Sequence, residues 1–127
     1  MKNIFISSGS FFALAGVVAR SLSSHAIRPF LIERGTFDNF NLAADYLIFH
    51  GIALLVVAIL CHLYPDARYE RAGYLFILGS LLFQGTVLAK SCVSIAPFGI
   101  LTPIGGFVLM LGWGMLMLIP FFNTLHK

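Results

Sequence analysis

The chain has 127 residues, of which 59% are hydrophobic and only 10% are charged. A soluble domain is nearer half apolar with about 25% charged residues, and so short a chain cannot hide the excess because much of its surface stays exposed. The composition therefore excludes an ordinary soluble domain, and the small net charge of +3, with no basic stripe, gives no support for a nucleic-acid partner.

Four apolar segments with few charges follow one another along the chain. Each approaches the roughly 20 residues that a transmembrane helix needs, and together they predict helices at about 4–27, 41–63, 72–95 and 102–123. The connections are short, so neighbouring helices should be antiparallel. The predicted fold is an all-α membrane protein, a single four-transmembrane-helix antiparallel bundle over residues 1–127. For the first segment a cleaved signal peptide is the alternative, since a basic residue precedes it and small residues end it.

The first segment carries small residues, Gly9 and Gly16, on the same helical face as Arg20. Small residues let helices approach closely in a bilayer, so this face should pack, and a charge on it needs a partner. Asp45 lies at the matching depth of the second helix, which predicts a buried ion pair with Arg20. Lys90 is the rival partner for Asp45, and separate snorkelling of both charges to the interface is the alternative.

The connections predict the ends of the bundle. The first one, residues 28–41, mixes apolar and charged residues and should lie at the water–lipid interface, with Thr36 as the cap of the second helix. Cys61 and Cys92 should lie on opposite faces of the membrane and cannot share a disulfide. An even number of spans puts both termini on one side, and the positive-inside rule favours the cytoplasm for it through four basic residues: Lys2, Arg68, Arg71 and Lys127.

The fourth segment is rich in residues that weaken helices, yet it is almost wholly apolar. Gly105 and Gly112 are seven residues apart and share a face, which predicts close packing on a neighbouring helix, with Gly106 in the same crowded first turn. Trp113 should fill the space that its flanking glycines, Gly112 and Gly114, leave open. A backbone ligand site at Gly105 and Gly106 is the alternative interpretation.

Polar residues of the spans concentrate in the half of the bundle that faces the first and third connections. This predicted vestibule consists of Arg20, His25, Asp45, Tyr46, His50, Gln84, Lys90 and Thr102. A transporter needs polar groups through the whole membrane thickness, and an enzyme needs a base beside an orienting partner. Tyr46 and His50 share a face with Asp45 adjacent, but that spacing is no catalytic signature. No tight metal-ligand motif is present either.

The order of motifs resembles one known family. His25 lies in LSSHAI, Tyr46 and His50 bound YLIFH, the third segment carries GSLLFQG, and the fourth carries TPIGG followed by a Gly-Trp pair. This order resembles that of the small four-helix family of YgdD-like bacterial inner-membrane proteins, catalogued as domain of unknown function 423, with transmembrane protein 256 as an animal relative. The resemblance covers nearly the whole chain and implies four helices and a membrane location, but no activity.

The function predicted from these features is that of an uncharacterised, non-enzymatic integral membrane protein. It either binds a lipid-like or apolar ligand in the vestibule or supports a complex with other membrane proteins, and its general partner is the lipid bilayer. The alternative is a small transporter or membrane enzyme that uses Arg20, Asp45 and His50. The polar cluster could also serve only to fix helix packing. No cofactor and no metal are predicted, and the expected location is the bacterial inner membrane.

Overall fold

The computed structural model describes residues 2–94 and 98–125, with side chains from residue 3 onward. These residues form no strand, and their α-helices are α1 (Lys2–Ser24), α2 (Arg28–Glu33), α3 (Phe37–Leu63), α4 (Glu70–Leu82), α5 (Gln84–Cys92) and α6 (Leu101–Leu125). Within the described ranges, four segments are long and apolar enough to cross a membrane, namely Asn3–Ser24, Phe37–Leu63, Glu70–Cys92 and Leu101–Leu125. The predicted four-helix membrane fold is confirmed.

The helices α1 and α3 pack backbone against backbone. A Cβ placed on Gly9 would lie 2.7 Å from the carbonyl oxygen of Gly51, and one on Gly51 would lie 2.6 Å from that of Gly9. Farther along, a Cβ on Gly16 would lie 2.6 Å from the carbonyl oxygen of Ala44. Gly9 is opposite Gly51, whereas Gly16, later on α1, is opposite Ala44, which is earlier on α3. The two helices are therefore antiparallel. Such proximity is available only to glycine and supports association through van der Waals packing.

The helices α4 and α6 form the second close pair. A Cβ on Gly105 would collide with the backbone at Leu82 and Phe83, and one on Gly112 would lie 2.8 Å from the ring of Phe76. Trp113 was expected to fill the space beside Gly112, and that expectation is wrong because the Phe76 ring from α4 already occupies it. A Cβ on Gly114 would meet nothing within 4 Å, so this glycine makes no close contact.

The interior of the bundle is filled by apolar side chains from all four spans. Phe5, Leu54, Val57 and Phe76 are fully buried there. Large apolar side chains also cover the outside of the helices; Phe11 and Met110, for example, are 63% and 65% exposed. An apolar exterior of this kind suits the hydrocarbon of a bilayer, where backbone groups must bond within the helices.

The third span is broken at Phe83, although the sequence predicts one continuous helix over 72–95. The hydroxyl of Thr86 donates to the carbonyl oxygens of Leu82 and Phe83 over 2.5 and 3.0 Å. A hydroxyl bonded back to the preceding turn competes with the backbone ladder and bends helices. The break lies where Gly105 of α6 approaches most closely. Residue 95, the predicted end of this helix, lies outside the described residues, and α5 ends at Cys92.

The first connection contains the short helix α2, whose Leu31 is fully buried against α1 and α3. Thr36 precedes α3, which begins at Phe37 rather than near residue 41, but its side chain makes no capping hydrogen bond. The capping prediction is therefore wrong. The Thr36 hydroxyl instead donates to the carbonyl oxygen of Ser91 over 2.9 Å, and Arg34 Nε donates to the same oxygen over 3.0 Å. The connection thus holds the end of α5.

Cys61 lies in the last turn of α3, whereas Cys92 ends α5 beside the first connection. They are at opposite ends of the bundle, and no disulfide joins them. Lys127 and the side chain of Lys2, on which the orientation prediction partly rests, lie outside the part of the chain that the structure describes.

Candidate functional site

The polar residues of the predicted vestibule do not form one cluster. On α3, Asp45 and His50 are five residues apart, which places them about 140° apart around the helix. Asp45 therefore faces α1, where it meets Arg20. His50 faces the opposite side, towards the third and fourth spans.

Arg20 and Asp45 form the predicted ion pair, with 3.1 Å between Nε and Oδ1. The two side chains are 44% and 42% exposed, so the prediction that the pair is buried is wrong. Ala19 takes the buried position in this turn of α1, and Arg20 is thereby left at the edge of the helix contact. Arg20 lies about 6 Å from the end of α1, within the distance over which an arginine can snorkel to the interface.

The remaining vestibule residues near the first connection are also separate from His50. His25 is exposed in the turn that follows α1. Lys90 and Thr102 line a recess of 420 Å³ together with Asn39 at the start of α3. The hydroxyl of Thr102 shares a hydrogen bond of 2.6 Å with that of Thr86, which ties α6 to α5.

His50 is the centre of the second polar group, and it is only 6% exposed. Trp113 Nε1 donates to His50 Nε2 over 3.1 Å. An indole nitrogen can only donate, so Nε2 must carry a lone pair and the proton of the neutral imidazole must be on Nδ1. Nδ1 then donates to the carbonyl oxygen of Tyr46, 2.8 Å away. Both ring nitrogens are engaged, which fixes the orientation of the imidazole.

Gln84 is fully buried beside this imidazole, with its Nε2 atom 3.0 Å from His50 Nδ1. Two donors cannot bond to each other, so the amide oxygen and nitrogen must exchange places, which puts the oxygen against the Nδ1 proton. In the recorded orientation the Gln84 Oε1 atom, like the hydroxyl of Ser80, has no hydrogen-bond partner among the described residues. Unpaired buried polar groups cost about 1–3 kcal/mol each, and a buried water is the usual solution.

A cleft of 420 Å³ opens on the outer surface of the bundle next to His50. Its walls come from α3, α6 and the break in the third span, and it is lined by Tyr46, Phe49, His50, Phe83, Gly106, Leu109, Met110 and Trp113. Trp113 is 48% exposed and Tyr46 is 38% exposed, so both rings face the space outside the bundle. Gly106 lines the cleft without a side chain, and a Cβ there would lie 3.5 Å from the Phe83 ring.

The cleft offers mostly aromatic surface and few polar groups. The indole N–H and the imidazole nitrogens are already bonded to each other or to α3, whereas the Tyr46 hydroxyl has no hydrogen-bond partner among the described residues. Asp45 is held by Arg20 and does not orient His50. Over the described ranges, no three His, Cys, Asp or Glu side chains come close enough to hold a metal ion. The geometry suits an apolar molecule with one hydrogen-bonding group.

A family model described as "Protein of unknown function (DUF423)" matches residues 19–106. The chain belongs to the DUF423 family. The resemblance that the motifs indicate is thereby confirmed, and the description of the family states no activity. The matched segment of this DUF423 protein includes His50, Gln84 and Gly106 but ends before Trp113.

Relatives named as UPF0382 membrane proteins extend the likeness to nearly the whole DUF423 chain. One from Schizosaccharomyces pombe is 34% identical over 109 residues, which are 80% of this chain and 90% of that protein. Another from Staphylococcus aureus is 26% identical and covers 93% of this chain and 95% of its own length, and YwdK of Bacillus subtilis is 27% identical with coverages of 89% and 92%. No solved structure gives a significant match. The names of these relatives and the four apolar helices both indicate that the chain is a membrane protein.

Proposed function

We propose that this DUF423 protein is a non-enzymatic membrane module that binds an amphiphile in the cleft beside His50. The observation that supports the proposal is the aromatic cleft of 420 Å³ on the outer surface of a transmembrane bundle. Its volume is within the range of about 300–1,000 Å³ that is typical of small-molecule sites. The ligand has a flat or chain-like apolar body and one group that bonds to the Tyr46 hydroxyl.

The internal hydrogen bonds give this cleft a fixed shape. Trp113 is held by His50, and His50 is held by Tyr46 and Gln84, so the rings need not rearrange when a ligand enters. A preorganised site loses less conformational entropy on binding. Action through Arg20, Asp45 and His50 as a transporter or an enzyme has less support because His50 faces away from the Arg20–Asp45 ion pair. The bacterial inner membrane, with both termini in the cytoplasm, is the location that accompanies the proposal.

The single tryptophan of the chain allows a direct test, since Trp113 lies in the cleft. Delipidated protein in mild detergent is titrated with fractions of a membrane lipid extract from the expression host, and tryptophan emission is followed. Gly106→Leu should block the cleft, because a side chain there extends from a position already in contact with Phe83. Gly114→Leu is the matched control on the same helix, where a Cβ meets nothing within 4 Å.

One fraction should shift the emission saturably in the wild type and in G114L but not in G106L. Equal responses from all three proteins would show that the ligand does not enter the cleft. A second membrane protein that co-purifies in stoichiometric amount, with no saturable lipid response, would instead favour a role in supporting a complex.

A further inference from the structure

A second cavity lies at the other end of the bundle, between the connection from α3 to α4 and the last turns of α6. It measures 520 Å³. Arg68 and Arg71 lie at its rim, and Met115, Leu118, Ile119 and Phe122 form its apolar wall. It shares no lining residue with the cleft beside His50.

The cavity is positively charged at its rim. Neither Arg68 nor Arg71 forms an ion pair within residues 2–94 and 98–125, and both side chains are exposed. Asp66 also lines the cavity, so one carboxylate opposes two guanidinium groups and leaves one excess positive charge. Guanidinium groups bind phosphate oxygens in a bidentate manner. A phosphate diester therefore suits the two arginines and can neutralise the charge that Asp66 leaves uncompensated.

The polarity of the cavity changes along α6. Asn123, near the end of the helix, shares the rim with the arginines, whereas Met115 lies eight residues earlier, about 12 Å deeper along the helix axis. A site with cationic groups at the membrane–water boundary and an apolar wall below them matches a molecule with an anionic head and acyl chains.

We infer that this cavity binds an anionic phospholipid, with its phosphate between Arg68 and Arg71 and the start of an acyl chain against Leu118 and Phe122. The site is independent of the proposed ligand in the cleft. Basic residues beside a transmembrane span attract acidic lipids, and the free charges supply that attraction here. Arg68 has a left-handed backbone with φ of 54°, a conformation that is uncommon in residues other than glycine.

The test is native mass spectrometry of the purified full chain in detergent, titrated with phosphatidylglycerol or with phosphatidylcholine of the same acyl chains. Wild-type protein should retain phosphatidylglycerol in preference to phosphatidylcholine. The double variant R68Q/R71Q should reduce that preference by roughly 10- to 30-fold, because each arginine near an anionic lipid contributes about fivefold. R68K/R71K should keep most of the preference, since it keeps both charges.

The matched control is R28Q/R34Q, which removes the same charge at the opposite end. There Arg28 and Arg34 lie over the rings of Phe37 and Phe30. This control should leave the preference for phosphatidylglycerol unchanged. G106L should also leave it unchanged, which would show that the lipid site is independent of the cleft. R71Q alone should reduce the preference for phosphatidylglycerol about fivefold. This single variant replaces the double variant in the test if R68Q/R71Q does not fold.

Three results would overturn the inference. The first is a wild type without preference for phosphatidylglycerol, and the second is an equal loss in R28Q/R34Q, which would indicate attraction by total charge. The third is displacement of the lipid by glycerol phosphate at equal concentration, which would show that a phosphate without acyl chains suffices. Retention of an acidic protein in place of lipid would likewise contradict the assignment.

Discussion

Replacement of Gly105 by alanine should destabilise the protein, whereas the same change at Gly114 should not. A Cβ on Gly105 would lie 2.6 Å from the carbonyl carbon and 2.7 Å from the Cβ of Leu82, and closer still to the amide nitrogen of Phe83. Ordinary contacts begin at 3.4 Å, so relief of the contact with the Leu82 carbonyl carbon alone requires α6 to move by about 0.8 Å, the difference between 3.4 and 2.6 Å, and the nearer Phe83 nitrogen requires more. Two of these atoms are backbone and the third is a Cβ, whose position the backbone fixes, so none of them can swing aside.

The cost follows from this displacement. Overpacking of a close contact typically costs about 1–3 kcal/mol, and we expect a loss of that size for G105A. Alanine has a better helix propensity than glycine by about 1 kcal/mol, which favours both variants equally. At Gly114 no clash opposes this gain, so G114A should be neutral or more stable by up to about 1 kcal/mol.

The assay is equilibrium unfolding in mixed micelles with increasing SDS, followed by far-UV circular dichroism and by Trp113 emission. Both substitutions are on α6, so they share a detergent environment and a fluorescent reporter. Equal free energies of unfolding for G105A and G114A would refute the argument that Gly105 is required by backbone contact with Leu82 and Phe83.

The remaining predictions concern the backbone, the two polar groups and the topology. Arg68→Gly should stabilise the chain by about 1 kcal/mol, because glycine adopts the left-handed conformation of residue 68 without strain. Gly35→Ala should destabilise the chain by a similar amount, because Gly35 has φ of 68° and the cost is backbone strain, with open space around the residue. A thermal unfolding scan in which the melting temperatures of both variants shift in the same direction would contradict this. Trp113→Phe should cost about 1–3 kcal/mol, since it leaves the buried His50 Nε2 without its donor, and Phe107→Leu on the same helix is the control. Arg20→Asp and Asp45→Arg should each cost about 1 kcal/mol or less in a double-mutant cycle, because the pair is half exposed. The exchange of both residues should restore part of the lost stability. Strictly additive losses would show that the ion pair contributes nothing. In sealed vesicles a thiol reagent should label Cys61 from the side of the termini and Cys92 from the other, and labelling of both from one side would exclude four spans.

The fold could be predicted because hydropathy alone sets the number of spans, and the positions of the glycines follow from the helical period. Gly9 and Gly16 lie on a packing face as that period requires, and they meet Gly51 and Ala44 of α3. The partner of each glycine could not be predicted, because it depends on the rotation of one helix against another. Phe76, rather than Trp113, therefore occupies the space beside Gly112.

The candidate site could be predicted only in part. The sequence predicts that His50, Tyr46 and Gln84 belong to one polar cluster with Arg20 and Asp45, but their separation from those two residues follows from the rotation of α3. Ser80 and the Trp113–His50 hydrogen bond were missed. One available signal was the indole N–H of a tryptophan in mid-span, which usually finds an acceptor when it is away from water. The break at Phe83 coincides with the bonds from the Thr86 hydroxyl to the preceding turn, which no local sequence pattern reveals.

The central claim is that the cleft beside His50 holds a ligand in the membrane. The most direct measurement is native mass spectrometry of wild type, G106L and G114L, each released from mild detergent without added lipid. We predict one additional mass, apart from any anionic phospholipid retained beside Arg68 and Arg71, on the wild type and on G114L, and its absence from G106L. The same mass on all three proteins, or none on the wild type, would contradict the claim.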